Sequence, residues 1–157
     1  MRRACLILLL LLCLGLAACT GDAETVSVWY GVADHEAMKS VAAEEIAVPE
    51  GKTPLDTALE ALFAEPDDST LYCPAPEGVV VRSAELEDGL LTLDLSAAYG
   101  ELAGLELSIA NACIVLTLTD LPEVEAVRIT VRGEPLPFQE EQVLSRDNIL
   151  YDFSADD

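Results

Sequence analysis

Two β-prone runs meet at Asp88-Gly89, and that pair constrains the chain more than any other feature. Asp-Gly suits the two positive-φ positions of a type I′ turn, whose twist matches that of antiparallel strands. With this pair as the turn, Leu86 faces Leu91 and Ala84 faces Leu93 on one side, while Glu85 faces Thr92 and Ser83 faces Asp94 on the other. Turn chemistry and apolar alternation are independent signals, and they select one register. Downstream, Leu105, Ile109, Ala112, Cys113 and Leu116 recur at helical spacing, with Glu106, Ser108 and Asn111 opposite. Pro122 marks the exit from this helix, and Val127, Ile129 and Val131 alternate along a returning strand. Residues 79–133 therefore read as a hairpin, a helix and a strand, a compact α+β unit.

The chain before this unit supplies two strands and a helix. In the first strand, 25–30, Val26, Val28 and Tyr30 share one face, Ser27 and Trp29 share the other, and Gly31 closes it. Residues 34–39 read as a loop. Within 41–48, Ala42-Ala43-Glu44-Glu45 favours helix and Ile46-Ala47-Val48 before Pro49 favours strand; the second half is read as a strand. Thr53-Pro54-Leu55-Asp56 is a helix start, with a capping hydroxyl, a proline suited to the first turn and an acid facing the positive end of the dipole. Leu55, Ala58, Leu59, Leu62 and Phe63 then form one apolar stripe, ended by Pro66-Asp67-Asp68-Ser69. Residues 70–78, with Pro74 and Pro76, read as a loop into the central hairpin. Beyond it, Gly133 and Pro135 mark a turn, Leu136 and Phe138 a short return, and 143–153 a final edge strand through Ile149 and Tyr151. The predicted architecture is α+β: a two-layer sandwich of one mixed or antiparallel sheet with two helices packed on one face.

The chain opens with an address. Arg2-Arg3 precede an apolar run over 4–18, which at about 15 residues is short against the roughly 20 of a membrane-spanning helix. A basic start, a short apolar core and small residues at its end describe a secretory signal peptide over 1–18. Leu16-Ala17-Ala18-Cys19 resembles the lipobox of bacterial lipoproteins, which implies a lipid on Cys19 and a domain on the extracytoplasmic face of the membrane. Residues 19–24 are then a short lipidated linker, 25–153 one domain and 154–157 a polar tail. Such a linker holds the domain close to the bilayer.

Loss of 1–18 would remove two of the 8 basic residues and none of the 29 acidic ones, moving the formal charge from −21 to −23. That surface repels phosphate backbones, so nucleic acid is excluded as a partner; the acidity reads first as a solvated surface that keeps the protein soluble, and second as attraction to a basic partner or weak cation loading. Of the 5 cysteines, only Cys73 and Cys113 lie beyond the lipidation site, and outside the cytoplasm they could form a disulfide. Equally, Cys113 on an apolar helix face packs well as a free thiol.

The order of motifs resembles the GerMN domain, the sporulation and germination family that includes the GerM lipoproteins. The matching residues are Val28-Trp29-Tyr30, Thr53-Pro54 through Leu59-Glu60-Ala61-Leu62, Pro74 and Pro76-Glu77-Gly78. They continue with Asp88-Gly89, Leu93-Asp94-Leu95-Ser96, Tyr99, Ile114-Val115-Leu116-Thr117-Leu118-Thr119 and Val127 to Val131 with Gly133. The resemblance covers about 25–146. Two departures are visible: Ala43-Glu44-Glu45 stands where the family carries a basic residue, and the GerM lipoproteins carry tandem domains. The resemblance implies a non-catalytic Gram-positive envelope module that acts in sporulation, germination or envelope assembly by binding a protein partner. It also implies a fold similar to the ring-building modules of secretion and sporulation machines.

A search for chemistry along the chain agrees with that implication. His35, the single histidine, stands beside Asp34 and Glu36 with no nucleophile motif to serve as its partner. Asp88 has its reason in the turn, and Asp94 reads as a solvated strand residue or a cap contact. Glu65, Asp67 and Asp68 lack the spacing of a calcium loop. No catalytic residue, cofactor or metal is therefore expected. Trp29 and Tyr30 point to opposite faces of one strand, so one is core and the other a candidate contact for wall glycan or peptide, and Tyr99 is a third candidate. An interaction lipoprotein is the favoured reading and a wall-ligand module the alternative.

Overall fold

The computed structural model describes residues 23–33, 40–136 and 142–149. Its elements are β1 (Thr25–Val32), β2 (Val41–Ala47), α1 (Pro54–Ala61), β3 (Leu71–Tyr72), β4 (Val81–Glu87), β5 (Leu90–Leu95), α2 (Gly104–Leu118), β6 (Ala126–Val131) and β7 (Glu134–Pro135). A 3₁₀ turn, Ala97–Glu101, leads into α2.

The hairpin forms in the register that its sequence specifies. Leu86 pairs with Leu91, Ala84 with Leu93, Glu85 with Thr92 and Ser83 with Asp94. Asp88 (φ 48°) and Gly89 (φ 80°) occupy the left-handed positions of the turn. The device recurs at Arg132 (φ 56°) and Gly133 (φ 83°), which join β6 to β7.

The α+β class holds, but the expected single sheet is two. β2-β1-β3 form one antiparallel sheet, and β4-β5-β6-β7 form a mixed one in which β5 and β6 run parallel. The reason lies at β1. Its Trp29 amide, which points away from β2, donates to the Thr117 hydroxyl of α2 at 2.8 Å. Helix α2 thus occupies the edge where a strand of the second sheet would otherwise pair. It also contacts β2 and β6.

This placement corrects the stripe expected on α2. Every residue from Ala110 to Leu118 is buried, Asn111 included, whereas Leu105 is 61% exposed. A helix between two sheets needs apolar side chains all round, so its pattern carries little periodicity. Ala110, Ile114, Val115 and Leu118 join Val26, Val28, Tyr30, Leu91, Leu93, Val127 and Ile129 in the main core. Cys113 and Leu116 form a smaller cluster with Val41, against which Trp29 packs.

Three further expectations change. Ala42-Ala43-Glu44-Glu45 is strand, because each residue pairs with β1, and ladder pairing outweighs helix propensities of a few tenths of a kcal/mol. The loop expected over 70–78 contains β3, which pairs with Gly31 and Val32. Of the edge strand expected over 143–153, residues 150–153 lie outside the described residues; among 143–149, Leu144 makes a single bridge to Val127, with amide–carbonyl bonds of 2.8 Å in both directions. Phe138 and Tyr151 lie outside the described residues. Helix α1 starts as its sequence directs: the Thr53 hydroxyl accepts from the Asp56 amide (3.1 Å), and the Asp56 carboxylate accepts from the Thr53 amide (3.3 Å).

Candidate interaction surface

The β1–β2 ladder determines which backbone groups remain outside it. Its flanks are bonded at Val48–Glu24 (2.8 Å) and Val32–Ser40 (3.0 Å). Bonded and non-bonded pairs alternate in an antiparallel ladder, so Val26–Ile46, Val28–Glu44 and Tyr30–Ala42 are the bonded pairs. The N–H and C=O groups of Ala43 and Glu45 therefore point away from β1. No described residue pairs with that outer edge, and Ala43, Glu45 and Ala47 are exposed.

Carboxylates flank this edge on both faces. On the α1 side lies a groove of about 300 Å³ lined by Tyr30, Glu44, Ile46, Ala61, Glu65 and Asp67, among others. The Glu44 carboxylate accepts from the Asp67 and Asp68 amides (3.2 and 3.1 Å), fixing the loop after α1 against β2. On the other face, Glu45 accepts from the hydroxyls of Ser27 and Thr25, which hold its carboxyl below the ordinary range. A second cleft, of about 320 Å³, lies between Tyr72, Pro74, Pro76, Leu102 and Glu106.

The residues singled out in the sequence fall into distinct environments. Tyr30 is 1% exposed and donates its hydroxyl to the Ala61 carbonyl (2.9 Å). Burial, then the Glu44 carboxylate, pushes its phenol up to about 12. Tyr99 is fully buried and donates to Asn111 Oδ1 at 2.8 Å, and burial raises its phenol well above normal. Both rings belong to the core, and Tyr30 also borders the groove. Trp29 is half-buried; its indole N–H donates to Asp120 (3.2 Å), which also pairs with Arg146.

Cys73 and Cys113 are free thiols in this structure. Cys113 is packed in its helix, and Cys73 instead directs its thiol to the Leu62 carbonyl (3.4 Å). Burial raises both thiols. Cys19 and His35 lie outside the described residues.

Asp94 is neither solvated nor a helix cap. It is 9% exposed, pairs with Arg82 (2.6 Å), and accepts from the Thr130 hydroxyl (2.9 Å) and the Gly133 amide (2.7 Å). Burial would raise its carboxyl, but those three donors outweigh burial and hold it below the ordinary range. Asp68 is likewise committed, accepting from the amide and hydroxyl of Thr70 (2.8 and 2.7 Å). Among the described residues, no three His, Cys, Asp or Glu side chains converge as a metal site.

These features define a two-sheet α+β module with an open, acid-flanked strand edge. The chain belongs to the Germane family, described as "Sporulation and spore germination", whose model matches residues 28–137. In structure it is similar to the first GerMN domain of the Bacillus subtilis sporulation protein GerM: TM-score 0.65, 15% identity, covering 80% of this chain and 99% of that one. It is also similar to the tandem GerMN domains of that protein, with TM-score 0.59 and 22% identity over 87% of this chain. It spans 51% of the tandem. A protein of Clostridium perfringens provisionally described as a lipoprotein matches with TM-score 0.53 and 19% identity, over 85% of this chain and 95% of that one. No curated protein matches in sequence.

Proposed function

We propose that this chain is a non-catalytic lipoprotein, anchored through Cys19 to the extracytoplasmic face of the membrane. There it takes part in sporulation, germination or envelope assembly by binding a protein partner. The observation that carries the reading is the family match over 28–137. The leader ending in Leu16-Ala17-Ala18-Cys19 and the likeness to the clostridial protein support the anchor. The open acidic edge of β2 supports a protein partner, since exposed strand edges invite pairing. The alternative, a wall glycan or peptide held by an aromatic ring, is weaker: Tyr30 and Tyr99 are buried and the Trp29 indole is committed to Asp120.

The test is to delete the chain in its native host and score heat-resistant spores and their germination. Complementation with the wild-type chain and with Cys19→Ala, alongside cross-linking in intact cells, completes it. The expected result is a defect restored by the lipidated form alone, together with a cross-linked protein partner. Normal spores and no cross-linked partner would overturn the reading.

A further inference from the structure

We propose that the outer edge of β2 is a docking site for a basic, extended polypeptide segment that adds to the first sheet as a further antiparallel or parallel strand. The inference rests on the reading of the chain as an interaction module and names the chemistry of its partner.

Among the described residues, the two sheets end in four strands, β2, β3, β4 and β7. β3 and β7 are two residues each, too short to template a partner. β4 is long, but its ladder shifts register between Val81 and Ser83, and such irregularities twist an edge away from a regular partner. β2 is seven residues long and pairs continuously from Thr25–Ala47 to Gly31–Val41. It contains no proline, lysine or glycine, the residues that commonly block an edge. Its outward amides and carbonyls at Ala43 and Glu45 are flanked by the small side chains of Ala43 and Ala47, so a second backbone can approach.

Charge selects the occupant. Glu44, Glu45, Glu65 and Asp67 all line the groove beside the edge, the Glu45 carboxylate held by the Ser27 and Thr25 hydroxyls, and no lysine or arginine lines it. A second copy paired antiparallel through β2 would bring Glu44 or Glu45 opposite its own equivalent, and like charges across a ladder are destabilising. Basic side chains at every second position of an incoming strand share one face, and on the groove side that face meets Glu44, Glu65 and Asp67. The apolar part of the groove, Ile46, Ala47, Ala61 and Ala64, receives their methylene stems. Main-chain bonds then supply affinity and the carboxylates supply sign.

The test uses the full chain in detergent micelles and a fluorescein-labelled octapeptide of alternating lysine and valine, followed by anisotropy. Three comparison peptides or proteins accompany it: a glutamate–valine octapeptide, a lysine–valine octapeptide N-methylated at every internal residue, and the Ala43→Pro chain. Proline at 43 removes an outward N–H that carries no bond to β1. Binding of the lysine–valine peptide is expected, weakening with salt and weakening several-fold in Glu65→Gln/Asp67→Asn. N-methylation and Ala43→Pro should each weaken it about tenfold, the scale of one or two lost backbone bonds.

Equal binding of the N-methylated peptide, or of the Ala43→Pro chain, would reduce the contact to surface charge and overturn edge pairing. Equal binding of the glutamate–valine peptide would overturn the selection by charge, and no binding of any peptide would overturn the site. Circular dichroism checks the fold of Ala43→Pro; should that variant unfold, the N-methylated peptide decides the matter on the unchanged protein. Cross-linking of a partner in cells that persists in Ala43→Pro would refute this site while leaving the interaction role intact.

Discussion

Replacing Asp94 tests whether one carboxylate bolts the second sheet together. Its oxygens join β4 through Arg82, β6 through Thr130 and the β6–β7 turn through Gly133. Bonds from neutral donors to a charged acceptor contribute about 1.5–3 kcal/mol each, about twice a neutral bond. The Arg82 pair contributes less, about 0.5–1 kcal/mol, because its side chain is 48% exposed. Asp94→Asn keeps the acceptor for Thr130 and Gly133 but removes the charge, and should cost about 2–3 kcal/mol at pH 7. Asp94→Ala leaves both donors without an acceptor and should cost about 3–4 kcal/mol.

The pH dependence has a definite sign. Because the folded-state carboxyl titrates below its unfolded value, its contribution is fully present above the ordinary carboxylate range and is lost as pH falls through the folded value. The difference between wild type and Asp94→Asn, measured by urea unfolding, should therefore be largest at pH 7 and shrink below about pH 4. Taking the difference removes the global effect of relieving a formal charge of −21, which acts on both proteins alike. A cost under about 0.5 kcal/mol at pH 7, or one that is the same at pH 3, would refute the bolt.

Other outcomes follow from single contacts. Tyr99→Phe removes the buried bond to Asn111 and should lower urea stability by about 1–2 kcal/mol, with no change in the loss between pH 6 and 8. Gly31→Ala drives a Cβ into the Tyr72 ring and should destabilise by about 1–3 kcal/mol; a Tyr72→Ala background should abolish most of that loss, and an undiminished cost would place the strain elsewhere. Iodoacetamide should modify Cys113 only as fast as the protein unfolds, since that thiol is 1% exposed, whereas the half-buried Cys73 should react in the folded state; mass spectrometry of peptides distinguishes the two.

Local chemistry made part of this fold legible. The Asp88-Gly89 turn and the Thr53–Asp56 capping box depend on residues within four positions of one another, and both form as the sequence specifies. Alternation placed Tyr30 with Val26 and Val28, so its burial is also readable once that face is taken as core. What the sequence conceals is long-range. Helix α2 is apolar on nearly every side because sheets lie on more than one side of it, and no local period reports that. The strand state of Ala42 to Glu45 comes from β1, against local propensity. Asp94 looked like an outward strand residue because its partners Thr130 and Gly133 are more than 35 positions away; the signal was their register, with Asp94 opposite Thr130 once β5 and β6 pair in parallel.

The distribution of edges bears on the acidity of the chain. Helix α2 closes one side of β1, the irregular ladder of β4 blunts the second sheet, and the remaining long regular edge, β2, carries Glu44 and Glu45. Here Glu44 also spends its carboxylate fixing the Asp67–Asp68 loop, which brings further acids to that groove. The same carboxylates would oppose pairing of two copies through β2 and favour a cationic strand there. Neutralising Glu45 and Glu65 together should therefore raise self-association while lowering affinity for a basic peptide, and analytical ultracentrifugation beside anisotropy reads the two trends. Parallel movement of both, up or down, would separate the acidity from any role in choosing the partner.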